Sequence, residues 1–174
     1  MTALDPNLAE AFRTALRGVG SSVTIISTEI ARIRYGMVAT AVMSLSVEPP
    51  SLVAAVNRST SIHDRLEERG AFAINILSSW DEPVARGFSQ TKGEDRFAFG
   101  PWSSRVIPSV GTGELPCLAN AQAVIFCRLH EVHRPYGTHS LFMGEVVEVH
   151  HTAERSALLY CDGAYGSFTP SSHL

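Results

Sequence analysis

Missing from this sequence are a basic stripe, a long apolar run and paired cysteines, and each absence closes off a class of function. Lys and Arg together number 14 against 17 Asp and Glu, a net charge of −3, and nowhere do they gather densely enough to neutralise a phosphate backbone. Nucleic acid is not an expected partner. The first twenty residues carry Asp5, Glu10, Arg13 and Arg17 with no continuous apolar stretch between them. Neither a signal peptide nor a membrane anchor is expected there, and the expectation is a cytoplasmic protein with no membrane partner. Cys117, Cys127 and Cys161 are odd in number and widely spaced. Without a C-x-x-C pair for zinc or for a thioredoxin-type centre, they are expected as reduced, mostly buried thiols.

Catalytic signatures are just as sparse. No G-x-x-x-x-G-K-[ST] is present, and "GVGSSV" at 18 to 23 lacks the third glycine of a dinucleotide fingerprint and follows a helix where a strand is required. There is no G-x-S-x-G elbow and no H-E-x-x-H helix. The seven histidines do not suggest a metal centre. His130 and His133, three apart in a strand pattern, point to opposite faces, and His150 and His151 are adjacent near a strand end. With no hydrolytic or metal signature, the chemistry is expected to belong to a bound cofactor.

What the sequence does contain is the composition of an ordinary globule, 45% hydrophobic and 18% charged over 174 residues, which suits one domain spanning 1–174 with a sizeable core. "DPNLAEAFRTALRGVG" places Asp5 as a candidate N-cap, Pro6 at the first helical position and Leu8, Ala11, Phe12, Ala15 and Leu16 on one face, predicting a helix over about 6–17. "STSIHDRLEERG" offers Ser61 as N-cap, Asp64 three positions on and Gly70 as a stop, predicting a helix over about 62–69. A third short helix is expected at "DEPVARGFS". "SSVTIIST", "PPSLVAAVN" and "AFAINIL" read as strands. The stretch from Leu118 to His151 reads as two long strands around a turn at "RPYGT", with Pro135 and Gly137 as the turn residues. The connection at Glu48 to Pro50 is too short for a crossover helix, so a mainly antiparallel β-barrel with peripheral helices is preferred to a parallel α/β sheet.

Two stretches point to a ligand. In "GMVATAVMSLSVEPPS", residues 36–51, Ala39, Thr40, Ala41, Ser44 and Ser46 are small and leave the backbone uncovered, where a core-filling run would favour Leu, Ile and Phe. In "NRSTSIHD", Asn57, Arg58 and the hydroxyls of Ser59, Thr60 and Ser61 precede a helix start, either as a phosphate pocket or with Ser61 serving only as the helix cap. His139, in the "YGTHS" turn, is either a solvated histidine or a hydrogen-bond donor to a ligand cavity.

These pieces resemble a known family. "FRTALRGVGSSVTIIST", "GMVATAVMSLSVEPPSL", "VNRSTSIHDRL", "FAINIL", "DRF" and "GTHSLFMGEV" occur in the order seen in the short-chain flavin reductases, from about 10 to 168. The similarity is to the reductase components of two-component flavin monooxygenases of the hydroxyphenylacetate type. The resemblance implies an FMN-binding split β-barrel that forms a homodimer. Such a protein binds FMN or FAD, reduces it with NADH or NADPH, and releases reduced flavin to a separate monooxygenase; a flavin-binding barrel without turnover is the alternative.

By the same resemblance, Val38, Ala39, Thr40, Ala41, Ser44, Leu45 and Ser46 lie along the isoalloxazine. Asn57, Ser59, Thr60 and Ser61 form the phosphate site, Phe88 and Lys92 sit by the cofactor, and Tyr165 either walls the cavity or is structural. His139 is the residue near the meeting of flavin and nicotinamide. Many relatives carry Thr where Val38 stands, and Thr138 replaces an aspartate often found before the turn histidine.

Overall fold

The computed structural model describes residues 6–134, 137–153 and 156–170. The chain opens with helix α1 (Pro6–Arg17), then strands β1 (Ser21–Ser22), β2 (Thr24–Ile30), β3 (Ile33–Ala39), β4 (Val42–Val47) and β5 (Pro50–Asn57). Helix α2 (His63–Arg69), β6 (Ala71–Ile76) and helix α3 (Glu82–Gln90) follow, then β7 (Trp102–Val106), β8 (Glu114–Leu118), β9 (Ala123–His133), β10 (His139–His151), β11 (Leu158–Cys161) and β12 (Ala164–Ser167). Short 3-10 turns occupy Ser79–Asp81, Gly93–Ala98 and Pro108–Val110.

The three expected helices are all present. Helix α1 has the expected bounds, and its candidate cap Asp5 lies outside the described residues, as does Pro135 of the expected hairpin turn. Helix α2 stops at Gly70, whose φ of 66° is the left-handed conformation that glycine adopts without steric cost. Its start differs from expectation. The N-cap is Ile62, with no side-chain cap bond, because the Asp64 carboxylate accepts from the neighbouring His63 ring instead of closing a capping box with Ser61. No helix among the described residues is long and apolar enough to cross a membrane.

Seven strands form one antiparallel sheet in the order β3-β2-β6-β9-β10-β5-β4, beside a small β1-β11-β12 sheet and a β7-β8 pair. The mainly β architecture with peripheral helices is as expected, and the seven-stranded sheet is not closed: no ladder joins β3 to β4, and both remain sheet edges. Yet only Thr40 and Ala41 separate the end of β3 from the start of β4. Three peptide steps reach at most about 11 Å, so the sheet must curl until its two edges meet at that corner.

Period-two alternation covers both faces of this curled sheet. Ile25, Ala71, Ala73 and Phe126 pack with α3, Phe97 and the β7-β8 pair on one side, while Ile26, Phe72, Ile74, Cys127 and Phe142 pack with Leu66 of α2 on the other. Buried Asn75 links the β7-β8 pair to the sheet: it donates to Ile25 O and Ser27 Oγ at 3.0 Å and accepts from Leu118 N at 2.8 Å. All three cysteines are free, but only Cys117 and Cys127 are buried; Cys161 is exposed, because β11 belongs to the small outer sheet.

Candidate active site

Strand β3 forms the floor of a cavity of about 550 Å³, walled by Ser59, Thr60 and Ser61 on one side and by Phe88, Ser89 and the 92–96 segment on the other. The wall stands close to the floor because residue 36 is glycine. A Cβ there would come within 2.7 Å of Phe88 Cε1 and 3.1 Å of Phe97 Cζ. Phe88 is edge-on to Phe97 at 5.2 Å, and Phe97 to Trp102 at 4.8 Å, an arrangement that fixes ring positions beyond simple burial.

Arg96 fastens the far wall: its Nε donates to Thr91 O at 2.7 Å and its Nη1 to Gly36 O at 2.6 Å. Burial pushes its pKa below the ordinary arginine value, but a guanidinium stays cationic at neutral pH. Lys92, the only lysine in the sequence, also lines the cavity and makes no hydrogen bond or ion pair among the described residues. Glu94 accepts from Arg34 N at 3.1 Å and partly balances this charge.

The hydroxyl loop is shaped by Asn57. Its Oδ1 accepts from Ser59 N and Ser59 Oγ, each at 3.0 Å, while Thr60 Oγ1 donates to Asn57 O at 2.7 Å. Ser61 caps nothing, and its hydroxyl lines the cavity. With α2 only seven residues long, the groups at this end that suit an anion are the hydroxyls and cations rather than a helix dipole.

A second cavity of about 350 Å³ shares Val38 and Ser89 with the first and extends past Thr40 to Tyr165. The Arg86 guanidinium lies 4.9 Å over the Tyr165 ring. Together the two cavities gather Val38, Thr40, Ser59, Thr60, Ser61, Phe88, Lys92 and Tyr165. The other expected residues sit elsewhere. Ala39 turns its side chain into the core while its carbonyl accepts from Thr24 Oγ1 at 2.9 Å. Ala41 is exposed, and its carbonyl accepts from Ala55 N at 2.9 Å. Ser44 is exposed on edge strand β4, and Ser46 bonds Glu48 within the β4-β5 turn.

Leu45 lies in a separate groove with Pro49, His130 and Met143. His139 is the first residue of β10 rather than a turn residue, paired in register with Asn57, exposed, and 2.9 Å by Nδ1 from Thr138 Oγ1. Sequence reasoning missed Arg34, Tyr35, Met37, Ser89 and Glu94 in the first cavity. For Arg34 to Met37 the signal was their position in the same strand as Val38; for Ser89 it was adjacency to Phe88.

A stacking wall, a hydroxyl-and-cation end and a continuous strip of strand backbone form a setting for a flat ligand with an anionic tail. Residues 16–169 match the flavin reductase like domain. The chain belongs to the flavin reductase-like family. This flavin reductase-like chain is 33% identical over 156 residues to the FMN reductase (NADH) RutF of Pseudomonas syringae pv. syringae, covering 89% of this chain and 84% of that one. It is 31% identical to the 4-hydroxyphenylacetate 3-monooxygenase reductase component of Pseudomonas aeruginosa, covering 92% and 91%. Among solved structures, the Streptomyces globisporus NADH:FAD oxidoreductase SgcE6 in complex with NAD and FAD fragments superposes with a TM-score of 0.84 at 25% identity, covering 99% and 100%.

Proposed function

We propose that this protein is an NAD(P)H:flavin oxidoreductase, one domain over 1–174, that binds FMN or FAD, reduces it and releases it to a separate monooxygenase. The observation that carries this reading is the pair of adjoining cavities that share Val38 and Ser89 in their walls. One end offers Ser59, Thr60, Ser61, Lys92 and Arg96 to a phosphate, and the other opens along Val38 and Thr40 towards Tyr165. The residues present fit a flavin. Hydroxyls and cations suit its tail, and a strand of modest side chains lets peptide groups reach the edge of a ring. Bound flavin supplies the two-electron acceptor that the side chains lack.

The protein's own contribution is positional. Phe88, fixed by Phe97 and Trp102, keeps water from one side of the pocket, and the hydroxyl loop orients the tail. Holding reactants at near-attack distance, about 3–3.5 Å, removes most of the entropic cost of a bimolecular step. For His139, exposed at the start of β10, the proposed role is to orient the nicotinamide or to stabilise charge at the flavin edge. The open cavity at Tyr165 favours turnover over flavin storage.

The curl that brings β3 and β4 to one corner without a joining ladder supports a split barrel. Exposed Met43, Leu45 and Val47 on β4, with Leu8, Phe12 and Leu16 on α1, are apolar surfaces that a second copy would cover in a homodimer. We assign the enzyme to the cytoplasm, where both nucleotides are made. Mixing the protein with NADH or NADPH and with FMN, FAD or riboflavin, while following nicotinamide absorbance, tests the reading. Consumption is expected with at least one pair, and none with any of the six refutes it.

A further inference from the structure

Behind the hydroxyl loop lies a polar array that the proposed reaction does not use. His63, the first residue of α2, is only 4% exposed, and both of its ring nitrogens are engaged. Nδ1 is 2.7 Å from Asp64 Oδ1 and Nε2 is 2.9 Å from Ser140 Oγ, while the ring stands edge-on to Phe142 at 5.2 Å. The Asp64–His63–Ser140 connectivity matches that of a hydrolytic triad. Ser140 is 0% exposed and strand-paired with Val56, so no acyl group reaches it. The array therefore serves something other than nucleophilic attack.

Its place in the chain shows what that is. The loop leaves β5 at Asn57, which is paired with His139, and comes back to β10 at His63, which bonds Ser140, the next residue along. At the departing end, Arg58 N donates to Thr138 O at 2.9 Å, and the Thr60 and Ser59 bonds to Asn57 hold the first turn. Among the described residues Ser61 has no side-chain bond of its own, and two residues on, the His63 ring is the side-chain anchor that follows it. We infer that His63 is a positioning residue: through Ser140 it pins the hydroxyl loop to the start of β10 and sets flavin affinity without touching flavin. This rests on reading Ser59 to Ser61 as the flavin-phosphate loop.

The bonding pattern also fixes the tautomer of the neutral ring. The Asp64 carboxylate only accepts, so Nδ1 carries the proton and Nε2 accepts from the Ser140 hydroxyl. An asparagine at 63 places its amide where Nδ1 stands and loses Ser140; a glutamine places its amide where Nε2 stands and keeps it.

The test is flavin titration by fluorescence quenching, with separate KM values for flavin and nicotinamide, on His63→Asn, His63→Gln, Ser140→Ala and Ser61→Ala. Losing one buried hydrogen bond corresponds to about tenfold in affinity. His63→Asn and Ser140→Ala are expected to raise the flavin dissociation constant by about that factor with the nicotinamide KM unchanged, while His63→Gln stays near the parent.

Equal loss in His63→Gln and His63→Asn, or parallel rises in both KM values, overturns the inference by showing a packing role. Parent-like affinity in Ser140→Ala overturns it too, and decides the matter alone if His63→Asn does not fold. Ser61→Ala separates the two levels. Weakened flavin binding in that variant alone leaves the loop reading standing and refutes the role of His63; unchanged binding in every variant refutes the loop reading itself.

Discussion

Gly36→Ala is the sharpest test of how the cavity is built. A methyl at residue 36 would stand 2.7 Å from Phe88 Cε1, 3.1 Å from Phe97 Cζ and 3.3 Å from Phe88 Cζ. Ordinary carbon contacts begin near about 3.5 Å, so Phe88 has to retreat by about 0.8 Å or the strand has to bow. Neither is free to move. Phe88 is 1% exposed and wedged between Phe97 and Trp102, and the Gly36 carbonyl is held by Arg96 Nη1 at 2.6 Å. Overpacking a rigid core of this kind costs about 1–3 kcal/mol, and at about 2–4 °C per kcal/mol for a chain of this size a mid-range cost of about 2 kcal/mol lowers Tm by about 4–8 °C.

The same displacement distorts the wall shared by Phe88 and Arg96, so flavin affinity falls with stability. The assay is thermal melting by circular dichroism without ligand, followed by flavin titration on protein that is still folded. Gly20→Ala is the control, because nothing lies within 4 Å of its Cβ; it should match the parent or gain about 0.5 kcal/mol. A Gly36→Ala protein that melts with the parent and binds flavin equally well refutes the claim that glycine is required for this wall.

The remaining predictions concern core, thiols and surface charge. At Gly144 a Cβ would meet Phe72 Cζ at 2.7 Å and Cys127 Cβ at 2.9 Å, both in the core, so Gly144→Ala should lose about 3 kcal/mol in urea unfolding. With a thiol reagent at pH 8, Cys161 should label quickly while Cys127, pushed up to about 12 by burial, stays inert. Titration should count one thiol in the native state and three in denaturant. The hydrogen bond from His63 holds the Asp64 carboxyl below its ordinary value. Its stabilising effect is therefore present above the usual carboxylate range and lost as pH falls through the lowered folded value. Asp64→Asn should melt below the parent at neutral pH, and the two curves should converge in strong acid.

Local signals in the sequence were read with the accuracy their physics allows. The bounds of α1 were legible because Pro6 starts it and Gly18 follows Arg17. The hydroxyl cluster was legible because it lies in one continuous motif, "NRSTSIHD", whereas Phe88 and Lys92, which line the same cavity, were indicated only by the resemblance of "GFSQTK" to the family. The start of α2 misled because a capping box needs both of its partners, and here Asp64 is drawn to the His63 ring, which Ser140 of β10 holds in turn. The open sheet was not legible, since pairings such as Ser51 with Glu145, 94 residues apart, leave no local signal of which strands end up as edges. Glu94 likewise enters the cavity through tertiary placement, accepting from the backbone N of Arg34 sixty residues away.

The small-residue stretch that first suggested a flat ligand divides in a way that bears on assembly. Val38 and Thr40 line the two adjoining cavities, but Ala41 in the corner and Ser44 and Leu45 on β4, a sheet edge, lie outside them. On that edge Met43 is 64%, Leu45 53% and Val47 88% exposed. A long apolar edge invites indiscriminate pairing, and proteins usually blunt it with charge or cover it. Here the strand from Val42 to Val47 carries no charge at all. Under the homodimer proposed above, one covering chain would remove the hazard and place residues 41–46 at the interface, next to the cavity that β3 floors.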